Sequence, residues 1–243
     1  MTLRRRTVPA GASGAPGALG ALGAACLLLA ACANNPPAPA WELGATSGLE
    51  RARTAWFAGD ARAEAAEFDA VRREIARTGR PALLARAELV RCALRVASLV
   101  VEECPAFEAL AADAEPAEHA YAAYLRGSAT AAQVPLLPEQ HRPLARGGSA
   151  AADLAALDRM ADPLSRLVGA GVLLQTGRGS PAVVERAVAA ASAQGWRRPL
   201  RAWLQVQLRQ AESAGDAAAA ARIGRRIDLV GAASAPVPRP VAR

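Results

Sequence analysis

The chain has 243 residues, of which 52% are hydrophobic and 4% aromatic, and its formal net charge is +7. Every basic side chain is Arg, and the absence of Lys excludes a Walker-type phosphate loop, whose chemistry places a Lys on the phosphates. No strongly apolar stretch approaches the ~20 residues that a spanning helix requires, and abundant Ala with few β-branched alternations favours helix over sheet.

The first element is a tripartite leader. Arg4, Arg5 and Arg6 form a basic head, Ala15 to Ala31 an Ala-, Gly- and Leu-rich middle, and small residues precede Cys32. This order is that of a secretory signal. Leu29-Ala30-Ala31-Cys32 resembles the lipobox of bacterial lipoproteins, in which a branched apolar residue and two small residues lead an extended strand to an obligatory Cys. The resemblance spans residues 1–39 and implies that Cys32 becomes the lipidated N-terminus, leaving covalent lipid as the contact with the membrane. An ordinary signal peptide cut at an Ala-x-Ala site is the alternative. Asn34-Asn35-Pro36-Pro37-Ala38-Pro39 suits a spacer between lipid and body, because proline-rich linkers are extended at ~3.1 Å per residue. Each buried CH₂ of an acyl chain contributes ~0.8 kcal/mol, so two or three chains anchor stably. Ala33 follows the cysteine. In Gram-negative lipoproteins an Asp there usually retains the protein in the inner membrane. The resemblance therefore implies the outer membrane, with the body in the periplasm; a high-GC Gram-positive source would instead place it on the outer face of the plasma membrane. Residues 1–31 are thus expected as signal, 32–45 as flexible linker, 46–231 as body and 232–243 as a disordered tail, since Pro236, Pro238 and Pro240 forbid helix there.

Turn signals divide the body. Ser47 is expected to cap a helix through Phe57, and Gly59-Asp60 to turn the chain into a second helix reaching Arg77, with Ala61, Ala65, Phe68, Val71 and Ile75 as its buried stripe. Pro81 starts a third, with the stripe Leu83, Ala87, Val90 and Leu94, and Pro105 and Pro116 mark two further starts. Gln133 to Gly148 carries Pro135, Pro138, Pro143 and Gly147-Gly148, and is expected as a long connection between halves 46–132 and 149–231. Five helices follow, at about 149–160, 162–176, 180–194, 197–214 and 216–230, where Asp162-Pro163 and Ser180-Pro181 pair an N-cap with a first-turn Pro.

Ala58-Gly59-Asp60-Ala61 recurs as Ala214-Gly215-Asp216-Ala217, each joining two amphipathic segments. With Ala65, Phe68 and Pro81, the first hairpin resembles a tetratricopeptide repeat, although the 34-residue period is not sustained along the chain. The expected fold is all-α, a TPR-like stack of antiparallel helical hairpins.

Little points to catalysis. His119 and His141 lack metal-type partners at helical spacing, no HExxH or GxSxG occurs, and the carboxylates alternate with Arg as solvated helix faces do. No metal or cofactor is expected. Charge is uneven: residues 33–139 carry a net −4 and residues 140–243 a net +8. Glu102, Glu103, Glu108, Asp113, Glu115 and Glu118 read as a solvated acidic cluster. Trp196, Arg197, Arg198 and Arg201 set an aromatic beside three cations at a helix start, a composition favoured at interface hot spots; the alternative is that Trp196 plugs an inter-helix corner. Cys92 and Cys104, the thiols left in an exported body, are expected to form a disulfide. An unbroken helix would hold them ~18 Å apart, so the helix from Pro81 must end soon after Arg95 and the chain fold back. The functional expectation is a lipid-anchored periplasmic scaffold that binds a protein partner and no nucleic acid; a cell-envelope enzyme or wall-polymer-binding lipoprotein is the alternative.

Overall fold

A computed structural model describes residues 37–232. The leader, Cys32 and the tail 233–243 lie outside the described residues. From Ala40 onward the described residues belong to one compact, all-helical unit. Its helices are α1 (Ala40–Ala58), α2 (Ala61–Ala76), α3 (Pro81–Ala97), α4 (Pro105–Glu108), α5 (Pro116–Leu125), α6 (Arg142–Arg146), α7 (Ala150–Arg159), α8 (Pro163–Gln175), α9 (Pro181–Ala193), α10 (Arg197–Ser213) and α11 (Ala217–Ala232).

The start and stop chemistry is local. Backbone N–H groups at the starts of α2, α8 and α11 donate to the carboxylates of Asp60, Asp162 and Asp216, at 2.9, 2.8 and 2.8 Å. The two Gly-Asp turns have one design. Gly59 and Gly215 adopt φ of 89° and 71°, and the following Asp N–H reaches back to Ala55 O at 2.9 Å and to Ala211 O at 3.0 Å. This is the Schellman closure, and it needs a residue without a Cβ penalty. The chain thus makes its first and last hairpins with the same four-residue device.

α3 lies at the centre, packed on α2, α5 and α8, and α8, α9, α10 and α11 follow as successive neighbours. Gly171 of α8 permits a close approach to α3, since a Cβ there would stand 2.7 Å from Val96 O. Trp203 of α10 is fully buried and donates its indole N–H to Ala97 O at 3.0 Å. A smaller cluster of Ala45, Ala52, Phe68, Val71, Ile75 and Ala87 glues α1 to α2 and α3. Burying such side chains contributes about 1.5–3 kcal/mol each for Val, Ile or Phe.

Two expectations are corrected. The first helix starts at Ala40 rather than Ser47, shortening the expected linker; Ser47 sits mid-helix with its hydroxyl on Gly44 O at 3.2 Å. Close packing on α2 is the reason: Gly48 faces Val71, whose Cγ2 would lie 2.7 Å from an added Cβ. Gln133 to Gly148 is not a boundary. Its prolines enter two 3-10 turns, Val134–Leu136 and Glu139–His141, and α6, and they bury Val134, Leu137, His141 and Leu144.

α3 ends as the cysteine spacing requires. Val100 N–H returns to Arg95 O at 2.9 Å and Leu99 N–H to Val96 O at 3.0 Å, a Schellman closure with Leu99 in the left-handed region at φ 58°. The loop then brings Cys104 back to Cys92, with the disulfide formed and a Cα–Cα distance of 5.7 Å.

Candidate functional site

Trp196, Arg197, Arg198 and Arg201 do not form a single exposed patch. Trp196 is half-buried, its ring 4.3 Å from that of Phe57. Arg197 donates to Ala58 O, and Arg198 donates to Trp56 O at 2.8 Å while stacking 3.9 Å over the Trp56 ring. These contacts sew the start of α10 to the end of α1. Arg95 covers Trp56 as well, at 4.7 Å, and the Trp56 indole N–H is satisfied by Leu94 O and Ser98 Oγ, both at 3.0 Å. Burial pushes the Arg198 pKa down, countered by the charge of Glu64 and reinforced by that of Arg95. Arg201 is exposed, and the three arginines border a cleft of about 450 Å³ with Gly59, Ser98 and Gln205.

A second polar seam joins α2 to α3. Glu64, 2% exposed, accepts Arg91 Nε at 2.6 Å and Nη2 at 3.0 Å. Those hydrogen bonds raise the Arg91 pKa above its ordinary value, outweighing burial, and the Arg91 guanidinium also lies 4.8 Å over Phe68. Arg95 pairs with Glu102 of the disulfide-closed loop at 2.6 Å. A pair as buried as Glu64–Arg91 fixes geometry more than it stabilises, because desolvation offsets much of the attraction.

The groove of different character lies between α3 and α5. It holds about 370 Å³ and is lined by Leu89, Val90, Ala117, Tyr121, Leu136, Leu137 and Pro138, with Arg86 and Glu118 as its polar residues. Leu136, on the 3-10 turn beside it, is 44% exposed. Glu118 is 5% exposed. Its Oε1 accepts Arg86 Nε and Nη2, each at 2.7 Å, while Oε2 is buried with no hydrogen-bond partner. Glu118 is therefore not one of the solvated acids its sequence neighbours suggest. Its spacing held a signal: Glu118, Tyr121 and Leu125 fall at i, i+3 and i+7, so this acid shares a face with apolar residues.

Of the two histidines, His141 is buried and His119 is exposed. His119 meets the Phe107 ring edge-on at 5.9 Å. His141, 2% exposed, places Nδ1 3.1 Å from the Tyr124 hydroxyl. Burial pushes its pKa down to about 4 against the pull of the Asp162 charge, and pushes the hydroxyls of Tyr121 and Tyr124 well above their ordinary range. Among the described residues, no group of three or more His, Cys, Asp and Glu is placed to hold a metal ion. No helix among them is long and apolar enough to cross a membrane. Comparison with family models, curated proteins and solved structures returned no match to this chain.

Proposed function

We propose that the protein is a lipid-anchored scaffold of the bacterial outer membrane, held by lipid on Cys32, whose helical body binds a protein partner in the periplasm. The observation that carries this reading is the open, apolar groove between α3 and α5, walled by Leu89, Val90, Tyr121 and Leu137. Stacked helical hairpins present concave surfaces of this kind to peptides and partner helices. The leader and the lipobox resemblance at Leu29-Ala30-Ala31-Cys32 support the address. A second reading, a lipoprotein that binds an anionic wall polymer, draws on the cleft bordered by Arg197, Arg198 and Arg201.

Two experiments test the anchor and separate the readings. In intact cells, labelled palmitate is expected to enter the wild type and not Cys32→Ser. A photo-crosslinking amino acid at Leu136 is expected to give one discrete protein adduct that the same probe at Leu229, 73% exposed on α11, does not give. Adducts at Arg201 to a heterogeneous glycan, with none at Leu136, would favour the polymer reading and reject the scaffold.

A further inference from the structure

Resting on the groove reading, we infer that the α3–α5 groove selects a partner segment that inserts an Arg or Lys side chain, flanked by apolar residues, and donates to Oε2 of Glu118. A buried carboxylate oxygen without a donor is rare in native proteins, because its lost hydration is not replaced. Arg86 does not replace it, since both its contacts go to Oε1. With its side chain 64% exposed, Arg86 is screened by solvent and compensates the buried charge incompletely. The rest of the lining is apolar or aromatic.

These two features specify one kind of occupant. The ligand must be apolar along its stem and carry a hydrogen-bond donor at its tip, preferably a charged one, because charge-assisted bonds to a carboxylate are the stronger class. Arg and Lys side chains have this build, with a methylene stem that packs on apolar surface and a cationic head. An aliphatic lipid tail would fill the volume and leave Oε2 unpaired. An anionic ligand would pair with the exposed Arg86 and still leave Oε2 of Glu118 without a donor. Discrimination then works by penalty: a segment lacking the donor leaves a buried acceptor unsatisfied in the complex.

The test uses the full chain and three soluble peptides, acetyl-Ser-Leu-Val-X-Leu-Val-Ser-amide, with X as Arg, citrulline or norleucine. Binding is read by calorimetry and by shifts of the Leu89, Val90 and Tyr121 amide resonances. The Arg peptide is expected to bind the wild type about ten-fold tighter than the norleucine peptide, with citrulline between them. Glu118→Gln should erase the difference between Arg and norleucine while leaving norleucine binding in place. The wild-type series needs no mutant, so a poorly folded Glu118→Gln would not remove the test. Equal binding of all three peptides at the groove would overturn the donor proposal and leave the groove reading standing. No groove shifts with any peptide would overturn both. If deleting residues 233–243 alone shifts the groove resonances and admits the Arg peptide, the occupant is this chain's own Arg-containing tail, and the partner proposal falls.

Discussion

Replacing His141 by Gln should remove much of the fold's sensitivity to mild acid. His141 is 2% exposed, and burial lowers its pKa from the ordinary 6.5 to about 4. The native state therefore resists a proton that the unfolded chain accepts. Stability from this residue is fully present above pH 6.5, declines as pH falls, and levels off below pH 4. One pKa unit corresponds to about 1.4 kcal/mol, so the full linkage is on the order of 3 kcal/mol, most of it expressed by pH 4.5. Gln keeps an acceptor for the Tyr124 hydroxyl and does not titrate. Urea unfolding of both proteins at pH 7.5 and 4.5 isolates the term, because the carboxylates common to both cancel in the difference. The wild type should lose roughly 2–3 kcal/mol more than His141→Gln over that interval. Parallel losses would refute the claim that His141 is held neutral by its surroundings.

Gly171→Ala should destabilise by about 1–2 kcal/mol, lowering Tm by several degrees, because the new methyl meets Val96 O at 2.7 Å and the clash exceeds the ~1 kcal/mol gain in helix propensity. Gly224→Ala on α11, where a Cβ meets nothing within 4 Å, should do the opposite, and matching signs in thermal melts would refute the close-approach argument. Cys92→Ser with Cys104→Ser should cost about 3 kcal/mol in the chain-entropy account of a loop this short. Titration of unreduced, unfolded wild type should find no free thiol in the body, and two would refute the bridge.

The helices from α7 to α11 were legible because their boundaries are written in local chemistry. Asp162-Pro163 and Ser180-Pro181 start α8 and α9, and the Gly215-Asp216 turn divides α10 from α11, as the sequence reading expected. The start of α1 was not legible. Gly44 and Gly48 lower helix propensity, and their role emerges only against α2, where Glu74 and Val71 occupy the space a side chain would need. The prolines between Gln133 and Gly148 misled for a related reason: they open short turns that each anchor a buried side chain, Val134 in one and His141 in the other, and Arg142 donates to Leu137 O between them at 2.8 Å. The disulfide was legible from the expectation of export and the helix rise, whereas the left-handed turn at Leu99 that permits it was not, since Leu carries no signal for that conformation. For the groove, Glu118 could have been singled out by its phase on α5. Its orphaned oxygen depends on where Arg86 falls, one helix away, and no sequence pattern reports that.

The seam between α10 and α1 changes how the whole body comes apart. Arrays of helical hairpins ordinarily behave as one-dimensional chains of nearest neighbours, and such chains fray from either end. Here the first hairpin is also a neighbour of the last, through Arg197 on Ala58 and Arg198 on Trp56, contacts 139 and 142 residues apart in sequence. An end that is joined to the far end has no independent route to melt. The array acquires the statistics of a closed ring, in which losing α1 exposes Trp56 and Phe57 and loosens α10 together. Unfolding should then be a single concerted event for α1 to α10, with α11, anchored by Ile223 as its one buried side chain, as the element free to detach first.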